Sequence, residues 1–600
     1  MESNLNNRFK ELSDLLKGQI NADGFWSGEL SSSALGVAVS VAALHFYDPN
    51  INRREIANGF DWLRNNINND GSFGDTPESQ GNISTSLLVY AAINLYSSEN
   101  EELKKFQNSI AGYLQKKSID VASNQISKSI LEYYKKDYTF SVPILTMCAL
   151  CGIPEKNGFE HIPQLPFELS LLPQKFYRIL NLSVVSYAIP ALIAVGIVIF
   201  KKKNPSLLGK IIRQRSVKKA LRALQKLLPE SGGFLEAIPL TAFVVLSLIN
   251  SGFKEIDVVK KGIDFLKRTQ RIDGSWPIDV DLSTWVTTLS VKALRSKKED
   301  VLSITHQNQL VEHLISIQNK GIHPFNGTTP GGWGWTNFPG SVPDCDDTPG
   351  VILALLQLQS AQNIKPEIIA GAKWLLQLQN NDGGFPTFSK GWGKLPFDQS
   401  CADLTGHCLL AISTCLNNYE KEFSLTEKKL FVKATEKAIN YLRKNQQENG
   451  SWLPLWFGNQ HTKNHENPVY GTARVLTYLQ DAIVNNPSDF VMRNKLQAMI
   501  NSGIQFLIGA QNNDGSWGGD SKILGTIEET SLAVSALIGT KHKIGCQKGF
   551  RWLDWYFKIN GLKPAPIGLY FASLWYNEKM YPLTAYLEAV TRSIEKQNQV

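Results

Sequence analysis

At 600 residues the chain is too long for one ordinary hydrophobic core, so two or more domains are expected. Hydrophobic residues make up 43% and charged residues 19%, a balance that fits a folded protein with a lightly charged surface. The net charge of +8 is too dilute over this length to imply a nucleic-acid partner.

From the N-terminus, residues 1–17 are polar and carry both charges, which argues against a signal peptide. Turns of one type then recur along the chain: Gln, Asn or Asp, then Gly, then an aromatic residue. They run from Gln19 to Trp26, Asn69 to Phe73, Gln270 to Trp276, Gln379 to Phe385, Gln446 to Trp452 and Gln511 to Trp517. Weaker copies are Ser231-Gly232-Gly233-Phe234 and Gly331-Gly332-Trp333. Apart from the longer gap between Phe73 and Phe234, neighbouring copies lie roughly 40–70 residues apart, a spacing suited to a helix-hairpin repeat. Before one turn, Ala372 to Gln379 holds helix formers and no breaker. The glycine supplies the positive-φ residue that stops a helix. The aromatic is expected to pack over that helix end, with the Gln side chain bonding free backbone groups at a neighbouring helix end. The predicted fold is all-α, with alternating helices closed into α/α barrels, and the turns are scaffold rather than chemistry.

Seven cysteines, an odd number without framework spacing, predict reduced thiols and a cytoplasmic protein. Cys148-Ala149-Leu150-Cys151 lies in apolar sequence and reads as two packed thiols. Residues 182–200 are the most apolar run, although Pro190 interrupts them, and Lys201-Lys202-Lys203 and a basic stretch to Lys226 follow. Three readings stand for 182–226: a membrane span, a buried barrel helix, or a basic, apolar-edged surface lying on an anionic bilayer.

The chemistry gathers at Asp344-Cys345-Asp346-Asp347-Thr348-Pro349-Gly350, where three carboxylates crowd four positions ahead of apolar sequence. Such a cluster is solvated, binds a cation, or contains a member that keeps its proton. Asp403 and His407 are four apart and share a face of an expected helix. Aromatics recur near turns and helix starts, including Trp285, Trp335, Phe388, Trp456 and Tyr470. Together with an acid they are able to line a dry cavity whose ring faces stabilise cations.

Together these residues resemble the bacterial squalene–hopene cyclases, class II terpene cyclases marked by an Asp-x-Asp-Asp-Thr motif and repeated Gln-Trp turns. Asp344 to Thr348 matches the motif in full, and Asp403 to His407 is similar to the family's partner segment. Phe571, Trp575 and Tyr576 resemble its aromatic C-terminus, although they align only with a gap. The resemblance implies two α/α barrels around a large apolar cavity with a membrane-dipping entrance. Residues 20–260 would form an inserted barrel, with 182–226 facing the membrane; 1–19 and 261–600 would form the catalytic barrel. Asp346 would protonate a terminal alkene of squalene or a similar polyprene, giving a hopene-type product. Asp344 and His407 would orient it, with a charged His407 steadying the carboxylate left behind and Asp347 and Asp403 supporting the network. Trp285, Trp335, Phe388, Trp456, Tyr470, Phe571, Trp575 and Tyr576 would shape the substrate and stabilise cations. The resemblance also implies no metal or other cofactor, monotopic attachment to the cytoplasmic side of a membrane, and a homodimer.

The chain departs from this pattern at several points. Pro349-Gly350 stands where Ala and an aliphatic residue are usual; Thr348 is expected to cap the helix with Pro349 at its first position. Residues 31–38 lack the Glu that helps control water at the far end of the family's cavity, and a Trp expected before the apolar run is missing. Three other readings remain: a cyclase of a shorter or longer prenyl chain, a zinc prenyltransferase, and a non-catalytic lipid-binding barrel.

Overall fold

The computed structural model describes residues 2–98, 100–123, 125–134, 138–172, 189–203, 207–360, 362–388, 398–568 and 574–598. Helices dominate, and among the described residues there is no strand, only isolated bridges. The chain divides into two compact units. One comprises Leu30–Val280 with Phe338–Ser341; the other comprises Met1–Glu29, Asp281–Asn337 and Val342–Val600.

In the first unit, the helices Ala34–Tyr47, Ile83–Asn94, Tyr138–Leu150, Ile189–Lys202 and Ile238–Asn250 pack side by side into a closed inner ring. They are apolar on nearly every face because each is covered both from inside the ring and from outside. Outer helices are one-sided. In Asp257–Arg268, Val258, Val259, Ile263, Phe265 and Leu266 are buried while Lys260, Lys261 and Asp264 face water. Ile189 to Phe200 is buried throughout. Residues 182–188 lie outside the described residues. No described helix is long and apolar enough to cross a membrane.

The second unit closes a ring of six inner helices: Ser283–Leu294, Asp347–Gln357, Ala402–Asn418, Pro468–Asn485, Ile527–Leu537 and Met580–Gln597. Ile304–Ser316, Lys365–Leu378, Leu425–Lys444, Phe490–Ala510 and Lys543–Asn560 are its outer helices. The chain's first helix, Glu2–Lys17, packs on Met580–Gln597 and supplies the sixth.

The repeat turns join outer helices to inner ones, and several of them share one hydrogen-bond pattern. Gln446 donates to the Gly450 carbonyl (2.9 Å) and to the Met499 carbonyl of the neighbouring outer helix (3.0 Å). Gln379 and Gln511 repeat this pattern, as does Gln270 in the first unit. Gln270 and Gln511 reach Glu55 and Gly545 in the first turns of their neighbouring helices, as expected, but Gln379 and Gln446 do not reach a helix end. Ala434 and Met499 lie well inside their helices, so their carbonyls gain an additional donor. Trp452 is fully buried, and its indole N–H reaches the Leu442 carbonyl at 2.8 Å; Trp276, Trp333 and Trp517 do the same at their own turns. Gly450 has φ +89°, and a Cβ there would sit 2.4 Å from the Ser502 carbonyl oxygen, so only glycine fits. All seven cysteines are unpaired, and burial pushes the Cys148 thiol up to about 12.

Candidate active site

The first turns of the six-helix ring gather at one mouth. Trp285, Tyr470, Glu528 and Tyr581, from the starts of four different inner helices, line one small cavity there together with Arg474. The acidic segment enters this mouth at the start of Asp347–Gln357. Its backbone is fixed by Asp344 N–H to the Trp333 carbonyl (3.0 Å) and Cys345 N–H to the Thr387 carbonyl (2.9 Å). The Thr348 hydroxyl accepts from the Trp333 N–H at 2.9 Å, so the weak Gly-Gly-Trp turn positions the acids directly.

Thr348 is therefore not the helix cap. The helix begins at Asp347, and Asp344 acts in the capping role: its Oδ1 accepts the N–H groups of Asp346 (2.8 Å) and Asp347 (2.7 Å). The three carboxyls are thereby differentiated. Asp344 and Asp347 are closed off, at 3% and 4% exposure, while the Asp346 side chain keeps 22% of its surface accessible. One Asp347 oxygen is buried without a partner. Burial raises all three pKa values. Asp344 is pushed up to about 7 against the pull of its backbone donors. Asp346 is raised to about 7 by burial, with the Arg474 and Lys292 charges opposing. Asp347 lies well above the usual carboxylate range through burial and then its two acidic neighbours. Crowded carboxyls in a dry site thus hold protons near neutral pH.

His407 Nδ1 meets Asp346 Oδ1 at 3.1 Å. Asp344 is turned to the backbone instead, so of the three aspartates it is Asp346 that His407 meets. His407 is not charged near neutrality. Burial, then Lys292 and Arg474, hold its pKa well below the ordinary value. Its ring stacks on Tyr478 (centroids 4.4 Å, 8° between planes) and meets Trp285 edge-on at 6.2 Å. Asp403 shares the Ala402–Asn418 helix with His407, but the bond to its carboxylate comes from the Cys401 thiol. Burial raises Asp403 to about 6. Cys401 and Tyr478 are site residues that sequence reasoning passed over.

The aromatics fall into groups. Trp285, edge-on to His407, and Tyr470 both flank Arg474, and Tyr470 is also tilted against Phe457 at 4.6 Å. Trp335, Phe388 and Trp456 form a chain of edge contacts, 5.8 Å at each step. The Trp456 N–H donates to Thr387 Oγ1 at 2.6 Å, so this chain adjoins the strut that holds Cys345. Trp575 packs edge-on to His465 at 5.4 Å, and the Tyr576 carbonyl accepts from the Ile567 N–H at 3.0 Å. Phe571 lies outside the described residues.

Gly350 has a steric reason. A Cβ would meet Thr288 Oγ1 at 2.9 Å and lie 3.6 Å from His407 Cε1. Below it a cavity of about 490 Å³ runs inside the ring, from Trp285, Gly350 and His407 near the helix starts to Arg295, Gln357 and Asn485 at the helix ends. Among the described residues, no cluster of three or more His, Cys, Asp or Glu side chains is disposed to hold a metal ion.

Comparison with known proteins agrees with this geometry. Residues 280–563 match the family model "Squalene-hopene cyclase C-terminal domain", and residues 9–112 match the corresponding N-terminal domain. An enfumafungin synthase of Hormonema carpetanum is 25% identical over 393 residues, covering 60% of this chain and 28% of that protein. The aligned stretch is thus well under a third of that relative's length. A squalene hopane cyclase of Aspergillus fumigatus is 24% identical over 606 residues, covering 83% of this chain and 76% of its own. The solved ent-copalyl diphosphate synthase from Streptomyces platensis has the same fold, with a TM-score of 0.59, 17% identity, and coverage of 98% of this chain and 99% of that one. The chain belongs to the squalene–hopene cyclase family.

Proposed function

We propose that this protein is a class II terpene cyclase, which protonates a terminal alkene of a linear polyprene and so sets off ring closure, with squalene and a hopene-type product as the leading assignment. The observation that carries the reading is the differentiation of the acids. Asp346 alone keeps accessible surface, stays protonated up to about pH 7, and has its other oxygen on His407. With the His407 proton on Nδ1, the imidazole donates to Asp346 Oδ1, leaving the acidic proton on Oδ2 for the substrate. An alkene is a very weak base, so protonation concerted with ring closure is needed to avoid a free early cation. In a dry site each charge interaction is stronger than in water. The Asp346 carboxylate forms at a helix start, where the backbone dipole favours negative charge. Trp285, Trp335, Phe388, Trp456 and Tyr470 present ring faces to the growing cation, at about 0.5–2 kcal/mol per cation–π contact. Asp344 orients the loop; Asp347 and Asp403 support it.

The similarity to named squalene cyclases supports squalene as substrate. Peripheral attachment to the cytoplasmic side of a membrane is part of the same proposal. It is supported by the helix Leu207–Leu227, whose exposed Ile211 and Ile212 lie among Lys210, Arg213 and Arg215. A homodimer completes the assignment by family resemblance. Incubating the detergent-solubilised protein with squalene and with shorter and longer polyprenes, and identifying products by mass spectrometry, tests the reading. A cyclic triterpene is expected; recovery of every polyprene unchanged would overturn it.

A further inference from the structure

Arg474 lies inside the six-helix ring, on Pro468–Asn485, in a buried stretch whose other residues carry no charge. It is 5% exposed. Its guanidinium carbon stands 5.6 Å from the Trp285 ring, 5.6 Å from Tyr470 and 5.7 Å from Tyr478, and Nε donates to the Tyr470 hydroxyl at 3.2 Å. Two of those rings, Trp285 and Tyr478, are the ones that pack on His407, so one layer of aromatic side chains separates Arg474 from the Asp346–His407 pair. Lys292 approaches from Ser283–Leu294, on the opposite side of the ring. Its Nζ lies 4.8 Å from the Tyr478 ring and 3.3 Å from Glu588.

Burying an arginine among rings is expensive unless its charge has a use. Structural cations nearby show the contrast: Arg295 and Arg592 both pair with Asp481, and with Glu595 and Glu588 respectively. Arg474 makes no carboxylate ion pair within 4 Å among the described residues, and its Nε bonds to a neutral phenol. We infer that Arg474 is a positioning residue for the acid: its fixed positive charge, carried across the Trp285–Tyr478 layer, stabilises the Asp346 carboxylate left after proton transfer, the part that a charged His407 would otherwise play.

The groups around Asp346 permit this. On its own segment are Asp344 and Asp347; on Ala402–Asn418, Asp403 and neutral His407. Pro468–Asn485 supplies Arg474, Ser283–Leu294 supplies Lys292, Met580–Gln597 supplies Glu588, and Ile527–Leu537 supplies Glu528 and Glu529. Glu588 is ionised, with Lys292 and then Arg592 taking up most of its charge and Arg474 a smaller share. Glu528 is held protonated by burial up to about pH 8. Net positive charge therefore faces Asp346 from the ring interior. The proton leaves Asp346 Oδ2 for the terminal alkene carbon, the carboxylate keeps the electron pair, and a proton from solvent restores the acid.

This inference rests on the proposed cyclase activity, so its test includes a readout that does not. In protein carrying ¹³C-carboxyl aspartate, the Asp346 signal is assigned by its loss in Asp346→Asn and titrated by NMR. Arg474→Met is expected to move the Asp346 midpoint to higher pH, and Lys292→Met to move it the same way by less. Arg474→Lys is expected to leave it close to the wild-type value. With a cyclised polyprene, Arg474→Met lowers kcat at least tenfold with KM little changed, and the alkaline limb of the rate profile follows the NMR midpoint. An Asp346 midpoint unmoved in both folded Met variants would overturn the inference even if cyclisation is confirmed. A shifted midpoint in a protein that cyclises nothing would sustain the electrostatic role and remove the catalytic one.

Discussion

The two units use one construction to different ends. In both, outer helices enter inner helices through a buried Trp and a Gln bonded to two carbonyls, Gln270 and Trp276 in one unit and Gln446 and Trp452 in the other. The rings differ at their helix starts. In the first unit these carry ordinary caps: Ser33 accepts from the Gly36 N–H, and Asn82 accepts from the Thr85 N–H. The six-helix ring has such caps too, Asn467 accepting from the Tyr470 N–H and Thr526 from the Glu529 N–H, but its helix starts also carry Trp285, Asp346, Asp403, Tyr470, Glu528 and Tyr581. The turns are therefore scaffold common to both rings, and the chemistry is written in the inner helices of one.

If that division is right, mutations in the two classes separate cleanly. Asp346→Asn has the largest effect on turnover, a loss of at least about 10³-fold within the range for a positioned general acid, with unfolding unchanged. Asp347→Asn is the control. Asp347 is held protonated, so the amide mimics its resident state, and a loss of about tenfold or less is expected in the same assay. Trp452→Ala and Trp276→Ala act the other way. Each removes a fully buried indole and costs about 3–5 kcal/mol in urea unfolding, while the folded fraction keeps its product pattern. Similar costs in the two units would support the shared role, and a change of product with Trp276→Ala would break the comparison. Gly350→Ala is the mildest. Thr288 has to yield a few tenths of an ångström, so stability falls by about 1 kcal/mol, and turnover drops slightly through the contact with His407.

Much of the scaffold was legible because its signals are local. A Gly at positive φ, a following aromatic and one-sided outer helices are all visible in a short window. The acidic motif was legible for the same reason. Partner choice was not. Which aspartate meets His407 depends on Asp344 spending an oxygen on two backbone N–H groups, and that follows from the loop held between Trp333 and Thr387. The charge of His407 was misjudged because its surroundings, buried and beside two cations, come from other helices. Arg474 and Lys292 escaped notice as isolated basic residues. The available clue was Tyr470, Arg474 and Tyr478 at four-residue steps, which places a cation between two rings on one face. Gln318 was missed because an insertion separates it from its turn; it still donates to the Gly331 carbonyl at 2.8 Å and to the Glu367 carbonyl at 3.1 Å.

The central claim is that protonated Asp346, beside a neutral His407, delivers the proton that starts cyclisation. The most direct test is the pH dependence of single-turnover cyclisation, with Asp346→Asn as the blank. An acid with its pKa raised to about 7 is competent below that pH and is lost as pH rises through it. His407, already neutral, adds no acidic limb near its ordinary value. The predicted profile is a plateau on the acid side with a single fall centred near pH 7. A rate that climbs through pH 7, or an Asp346→Asn variant that still forms rings, would contradict the account.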